Sequence, residues 1–472
     1  MGRLIIVSNR TPGKGPAAGG LAVALRKVLT EHEGFWFGWS GKLVEKPEPE
    51  AVFEDIEGLN VGKIDLTQHD HHAYYAGFSN SILWPSFHLR LDLATIEGHW
   101  YEGYRRVNAQ FARALKPHIQ ADDVIWVHDY HLIPLATELR NLGARNRMGF
   151  YLHIPFPTVD ALYAIPHHNE LMRDLSRYDL VGMQAERDVT AFRDFADHQA
   201  PATLSGSPLR TVDFSNTEVK AFPIGSDPDA FAKLATTPAA TKMVKRMQRL
   251  LEEQALILGV DRLDYSKGLP QRVEAYEKLL ANNANFRRQV HLLQVAPPSR
   301  DSIKEYQETS DTLDAMVGRV MGHFAEPDWQ PLTYVKRAYG QPSLAGLYRL
   351  ARVGLVTPLR DGMNLVAHEF VACQDPEDPG VLVLSRFAGA AEIFEDALLV
   401  NPFDTDETAE ALRLALQMPL DERRTRWETL MQAAKTHSVD NWAKHFLEQL
   451  TPADGGNKRP PVRDVLNLDT VA

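Results

Sequence analysis

A single cysteine, Cys373, stands in the whole chain. No internal disulfide can form, and no thiolate cage for a metal can be assembled. Cys373 lies in the helical run NLVAHEFVACQ, where it reads as a buried small hydrophobe. Long apolar runs are missing too, so nothing reaches the length of a membrane span. The start, MGRLIIVSNR, has too short an apolar stretch for a secretory leader, and Ile6 stands where a myristoylation signal wants Ser or Thr. The cytoplasm is the expected location. Positive charge is not in excess: the net charge of −11 leaves a nucleic-acid partner no electrostatic footprint. A small anionic substrate stays open, because a local basic cluster can outweigh the global balance.

What is present suits two sizeable cores, since 472 residues are long for one. Short β-branched runs recur between helical patterns. LIIVSN (4–9) reads as a strand and GGLAVALRKVLTEHE (19–33) as the helix after it. YEGYRRVNAQFARALKPHI and LIPLATELRNLG are helical; VIWVHD, RMGFYLHI and DLVGMQ are strands. This is the rhythm of βαβ units with a parallel sheet. It breaks over the Ser/Thr-rich stretch from Leu204 to Lys220, and a domain boundary is expected near SDPDAFAKLATTPAA (226–240). A second alternating block follows, with strands ALILGVDR, VHLLQVAPP, VGLVTP, VLVLSR and ALLVNP. Two such domains place ligands in the cleft between them, at the carboxyl ends of strands.

Four segments could face an anion or a sugar. In VGLVTPLRDGMNLVAHEFVA a strand ends at Thr357–Pro358 and a helix is expected from about Met363. Free amides at that start can donate to a ligand, and Asp361 stands where a carboxylate faces it. A helix cap is an equally good reading of Asp361. Glu369, on the same helix, is a candidate for ribose hydroxyls. In ALILGVDRLDYSKGLP, Arg262 and Lys267 precede a helix N-terminus, where two cations oppose the macrodipole unless an anion sits there. In VAPPSRDS, Arg300 follows a strand, and Asp301 or Ser302 can cap the next helix; a lone arginine there reads as solvated. In LIIVSNRTPGKGPAAGGLAV, Arg10 follows the first strand, but Gly13, Gly15 and Gly19 are one residue too widely spaced for the dinucleotide fingerprint.

Aromatic and polar groups join them: Trp36 and Trp39, Tyr75 and Trp84, Asp129 in VHDYH, and His153 in LHIPFP. Trp36 reads as core. His69, His71 and His72 with Asp70 lack helix spacing, and His128 and His131 beside His153 straddle a strand end where their side chains need not converge, so no metal site is expected. The D-x-D pairs Asp227/Asp229 and Asp404/Asp406 lie in ordinary turn sequence.

Together these segments resemble the α,α-trehalose-phosphate synthases, retaining glycosyltransferases of the two-Rossmann GT-B architecture. The resemblance runs from the first strand to about Asp440. It rests on VSNR, GGLA, FGWSG, FSNSILWPSFH, VHDYHL, GFYLHIPFP, VDRLDYSKGLP, APPSR, LVTPLRDGMNLVAHE and GVLVLSRFAGAA, in that order. It implies an α/β fold with two Rossmann-like parallel-sheet domains facing across a cleft. The acceptor-binding domain would span 1–228 and the nucleotide-sugar domain 229–440, with a helix and tail over 441–472 packing back on the first or partly disordered. It also implies glucose transfer from a nucleotide-glucose, chiefly UDP-glucose, to glucose 6-phosphate, with retention, no metal and no cofactor.

By motif, Gly20, Arg262 and Lys267 would hold the donor diphosphate and Glu369 the ribose. Asp361, His153 and the amides of Met363, Asn364, Leu365 and Val366 would hold the donor glucose. Arg10, Tyr75, Trp84 and Arg300 would bind the acceptor phosphate, with Trp39 and Asp129 near the acceptor sugar. The reacting centre would be Arg262, Lys267, Asp361, His153 and Asp129, with no enzymic nucleophile. Gln341 and Pro342 stand where a basic residue is expected, which leaves base preference open. A homo-oligomer, dimer or tetramer, also stays open. Two alternatives share the scaffold: a glucosylglycerol-phosphate synthase-like transferase and a non-catalytic sugar-phosphate sensor. A nicotinamide dehydrogenase fits the alternation alone, but not the glycine spacing.

Overall fold

A computed structural model of the chain describes residues 2–13, 20–197, 203–204, 207–208, 212–300 and 304–451. Gly15 and Gly19, Asp301 and Ser302, much of the Ser/Thr-rich stretch, and the tail after Thr451 lie outside the described residues.

The first sheet holds β1 (Leu4–Arg10), β2 (Gly34–Leu43), β3 (Val52–Ile56), β4 (Leu59–Leu66), β5 (Val124–His128), β6 (Arg147–Tyr151) and β7 (Leu180–Met183). A two-residue hairpin, β8 (Thr203–Leu204) and β9 (Ser207–Pro208), stands apart from it, and β10 (Glu218–Ala221) completes it. Its order is β10-β7-β6-β5-β1-β2-β4-β3. All pairs are parallel except the β3–β4 hairpin. The second sheet holds β11 (Ala255–Val260), β12 (Val290–Val295), β13 (Leu332–Val335), β14 (Val353–Val356), β15 (Val381–Ser385) and β16 (Leu398–Val400). Its order, β13-β12-β11-β14-β15-β16, is the doubly wound order of dinucleotide folds. Each sheet has one point where the winding reverses, between β1 and β5 and between β11 and β14. Such a reversal opens a crevice at the carboxyl ends of the strands.

The central strands such as β5, β11, β12 and β14 are buried and largely apolar because both faces are covered, whereas the edge strands β3 and β10 carry exposed polar residues. In β1, Ile5 and Val7 enter one apolar layer while Leu4 and Ile6 enter the other, the period of two of an extended chain. The second layer is shared: Leu4, Ile6 and Trp126 of the first unit belong to the same core as Leu258, Phe370 and Leu384 of the second. Trp36, 2% exposed, is core as read, with its indole donating to Ser8 Oγ at 2.7 Å. Cys373 is fully buried.

The chain passes between the units twice, and the two passages touch. Val439 N donates to Ser226 O at 3.0 Å, and a Cβ on Gly225 would fall 1.7 Å from His437 O. Only glycine fits there. The last described helix, Val439–Leu450, returns to the first sheet. Phe446 stacks on Trp126 with centroids 4.6 Å apart and meets Tyr151 and Phe222 edge-on. Gly149 on β6 and Gly182 on β7 leave the space it fills. Phe446→Ala is therefore expected to lower unfolding stability by about 3–5 kcal/mol, read as an earlier urea midpoint; an unchanged midpoint would contradict this packing.

Candidate functional site

At the reversal of the second sheet, one buried cation organises the strand ends. Arg272, fully buried in the helix Leu269–Asn282, donates to Asp261 Oδ2 at 2.7 Å, Gln294 Oε1 at 3.0 Å and Thr357 Oγ1 at 3.1 Å. These partners sit at or just beyond the ends of β11, β12 and β14. Gly259 gives Arg272 room, since a Cβ there would come within 2.6 Å of Nη1. Beside Asp261, Arg262 is exposed and has no carboxylate partner among the described residues.

Lys267 differs from the sequence expectation. It is not an uncompensated cation, because its Nζ is paired with Asp361, and the two side chains are only 11% and 13% exposed. The pair was invisible in sequence because 94 residues separate its members. Asp361 Oδ2 also accepts from Asn364 Nδ2 at 3.1 Å. The capping alternative for Asp361 fails: the cap of the helix Leu365–Cys373 is Asn364, whose Oδ1 accepts from Val366 N at 3.1 Å. The helix thus begins two residues later than expected. The Val366 amide is already used, whereas no hydrogen bond takes up the amides of Met363, Asn364 or Leu365 among the described residues. Farther along this helix, Glu369 Oε2 accepts from Tyr348 OH at 3.1 Å, and burial pushes its carboxyl up to about 7.

The first unit supplies the opposite wall. Asp129 follows β5 with φ 76°, and its Oδ1 accepts from His153 N at 3.3 Å. Burial pushes its carboxyl up to about 6, against the pull of two backbone amides and of Arg300 and Arg262 from across the cleft. His153 Nε2 and His128 Nδ1 share a hydrogen bond of 3.1 Å. Burial drives His153 down to about 3, so this imidazole is neutral near pH 7. The two units meet here: a Cβ on Gly362 would fall 2.2 Å from His153 O, and Arg360 Nη2 donates to Phe156 O at 2.7 Å.

Arg300, which reads as solvated from its own segment, is instead buried. It is 8% exposed, lies 3.8 Å over the Trp84 ring, donates to Tyr130 OH at 3.2 Å and to Tyr306 OH, and sits 3.6 Å from Asp264. Asp264 is the hub behind it. Burial alone would raise its carboxyl, but Arg300, Arg262 and Lys267 outweigh burial and hold it below the usual carboxylate range. His88, 4.3 Å from the Trp84 ring, is pushed by burial down to about 4.

A ribbon of rings runs from here toward Arg10. Tyr130 packs on His131, His131 stacks on Tyr75 with rings 9° from parallel, and Tyr75 stacks on His71. His71 meets Trp39, and the exposed Arg10 lies 5.6 Å over that indole. Tyr75 and Trp39 are thus drawn to one wall with Trp84. Gly20 opens the helix Gly20–Glu31 after β1.

Arg272, Asp264, Tyr130, Tyr306 and His88 were missed by sequence reasoning. Arg272 and Tyr130 meet partners 85 and 170 residues away and Asp264 meets Tyr306 42 residues on, whereas His88 and Tyr306 also touch near neighbours, Trp84 and Arg300. The second aspartate of VDRLDYSKG was the one local hint. His71 and His131, weighed only as metal ligands, serve as stacking surfaces, and His131 keeps both ring nitrogens unpartnered among the described residues. Positive φ was a further signal available only in three dimensions: Asp129, Arg300 (54°) and Asn364 (82°) all adopt it in this cleft.

Two parallel-sheet units with strand ends facing across a cleft, one walled with cations and the other with stacked rings, define a two-domain glycosyltransferase of the GT-B class. The chain belongs to glycosyltransferase family 20, whose model matches residues 10–452. It is 48% identical to the trehalose-6-phosphate synthase of Sinorhizobium fredii, over 96% of this chain and 98% of that one. It is similar to the crystal structure of an α,α-trehalose-phosphate synthase (UDP-forming) from Burkholderia xenovorans in complex with glucose-6-phosphate, with TM-score 0.90, 47% identity, and coverage of 95% and 100%. It is also similar to an E. coli structure bound with UDP-2-fluoro glucose, with TM-score 0.88, 41% identity, and coverage of 95% and 99%.

Glu369 carries a pH dependence. An acid raised from 4.5 to about 7 binds protons on folding between those values. Its contribution to stability is fully present below 4.5 and is lost as pH rises toward 7. Glu369→Gln removes that part of the slope. Relative to the native chain, the variant is expected to gain on the order of 1–2 kcal/mol between pH 5 and 7.5, measured by urea unfolding. A difference that stays constant with pH would contradict the raised carboxyl.

Proposed function

We propose that this glycosyltransferase moves glucose from UDP-glucose to glucose 6-phosphate, releasing UDP and α,α-trehalose 6-phosphate, with retention and without a metal. The observation that carries the reading is the pairing of two walls. A cationic strand-end turn, with Arg262, Lys267 and Asp361, faces a ring-lined wall that holds Arg300 on Trp84. The glucose-6-phosphate and UDP-2-fluoro glucose bound in the similar proteins support it.

In this reading the diphosphate lies against Arg262 and Lys267, with Gly20 opposite and Glu369 on the ribose. Asp361, neutral His153 and the free amides of Met363, Asn364 and Leu365 position the glucose. The acceptor phosphate is met by Arg10 and Arg300, with Tyr75 and Trp84 beside it, and the acceptor sugar lies between Trp39 and Asp129. Attack and departure occur on one face of the sugar. The bond from the anomeric carbon to the phosphate oxygen breaks as the bond to the acceptor oxygen forms. The acceptor proton passes to the leaving phosphate oxygen, so no side chain is needed as nucleophile. Lys267 is held in place by Asp361 before the charge develops, which is how a fixed cation lowers a barrier. Arg262, which has no carboxylate partner among the described residues, and the Asp361-paired Lys267 face the diphosphate in this reading without a divalent ion.

An assay of UDP-, GDP- and ADP-glucose against glucose 6-phosphate and glycerol 3-phosphate, following nucleotide release, tests this. UDP release with glucose 6-phosphate is expected. No release from any donor, or a preference for glycerol 3-phosphate, would contradict it. Lys267→Ala should lower kcat by about 10²–10³-fold with the acceptor KM nearly unchanged.

A further inference from the structure

The end of the motif GVLVLSRFAGAA and the Glu392 that follows it form a loop, residues 386–392, that takes no part in the contacts assigned to either substrate. It forms the second edge of the Asp361 turn. Asp361 N donates to Phe387 O at 3.2 Å, Gly389 N to Asp361 O at 3.2 Å, and Ala390 N to Met363 O at 2.9 Å. A Cβ on Gly389 would fall 1.8 Å from Gly362 O, so loop and turn are packed backbone to backbone.

The grip on this loop comes from the other unit. Arg187, second residue of the helix Glu186–Asp197, donates Nη1 to Arg386 O at 2.9 Å and Nη2 to Ala388 O. Its Nε lies 2.9 Å from Glu392 Oε1, and Glu392 Oε2 accepts the Glu186 amide at 2.9 Å. The loop's carboxylate thus sits at the favourable end of the opposite unit's helix dipole. As an ion pair alone this would count for little, since the two side chains are 32% and 37% exposed. The two carbonyl contacts differ: they are charge-assisted, and a planar fork fixes their direction.

We propose that Arg187 is a positioning residue for the donor sugar. By gripping the carbonyls of Arg386 and Ala388 across the cleft, it holds the Asp361 turn in the geometry that receives the glucose. Closure of this flank and assembly of the sugar subsite are then one event. The inference rests on the reading of Asp361 as a donor-glucose group. Its consequence falls unequally on the donor, because among the nucleotide-side groups Arg262, Lys267 and Glu369 the loop reaches only Lys267, and that only through Asp361. Loss of Arg187 weakens UDP-glucose more than UDP.

Titration calorimetry of the native chain, Arg187→Ala, Arg187→Lys and Glu392→Gln with UDP and with UDP-glucose tests this. For Arg187→Ala the UDP-glucose Kd is expected to rise about tenfold, the size of one lost charge-assisted contact, with the UDP Kd within about twofold. Arg187→Lys has no fork and is expected to behave like the alanine variant. Glu392→Gln keeps its acceptor oxygen and is expected to give a smaller rise, for UDP-glucose alone; it also stands in should the Arg187 variants not fold. Equal weakening of both ligands, or none for UDP-glucose, would overturn the role of Arg187. A native chain that binds UDP but not UDP-glucose would instead overturn the donor reading beneath it.

Discussion

A guanidinium taken wholly out of water must be met on every side, because leaving a buried charge unpaired costs several kcal/mol. Arg272 is such a group. Its needs tie Asp261, Gln294 and Thr357 into one cluster, and so fix three strand ends against one helix. Much of the cationic wall depends on that arrangement. Arg262 follows Asp261 and is left facing outward. Thr357 leads into the turn where Asp361 meets Lys267. Asn364, bonded to Asp361 and lying 3.4 Å from Asp261, closes the group and starts the helix that carries Glu369.

The facing wall is organised by rings more than by charge. Arg300 crosses from the second unit to lie on Trp84, and its charge is spread over Asp264 and two tyrosine hydroxyls. From there stacked side chains lead to Arg10. Stacking of this kind gives flat, rigid surfaces at small entropic cost and needs no polar partner for each ring. The buried imidazoles His128 and His153 fit the same pattern: both are pushed below the usual histidine range, so they act as neutral hydrogen-bonding groups. Because one apolar layer runs through both units, the walls share a foundation although they belong to different sheets.

The fold was largely legible in the sequence. Runs such as LIIVSN and VGLVTP could only be strands covered on both faces, and their alternation with helical stretches required parallel sheets. That Asp129, His153 and Arg262 follow the ends of strands was legible for the same reason. Long-range pairing was not. Nothing near Lys267 announces Asp361, and nothing near Arg300 announces Tyr130, 170 residues away. Read from their own segments, Lys267 lacked a carboxylate partner and Arg300 looked solvated, and both local readings missed these pairings for that one reason. Asp361 itself was ambiguous because carboxylates often cap helices; Asn364, three residues on, takes the cap and frees it. Arg187 carried no signal at all, since two of its contacts are to backbone carbonyls, which any sequence supplies, and its carboxylate partner, Glu392, lies far away in the chain.

Both substrates are expected to meet between the two points where the sheets reverse their winding. A structure of this protein with UDP and glucose 6-phosphate bound decides this. The diphosphate is expected against Arg262 and Lys267, the ribose at Glu369, and the sugar phosphate within reach of Arg300 and Arg10. Either ligand seated outside the cleft, or a diphosphate that leaves Arg262 and Lys267 untouched, would contradict it.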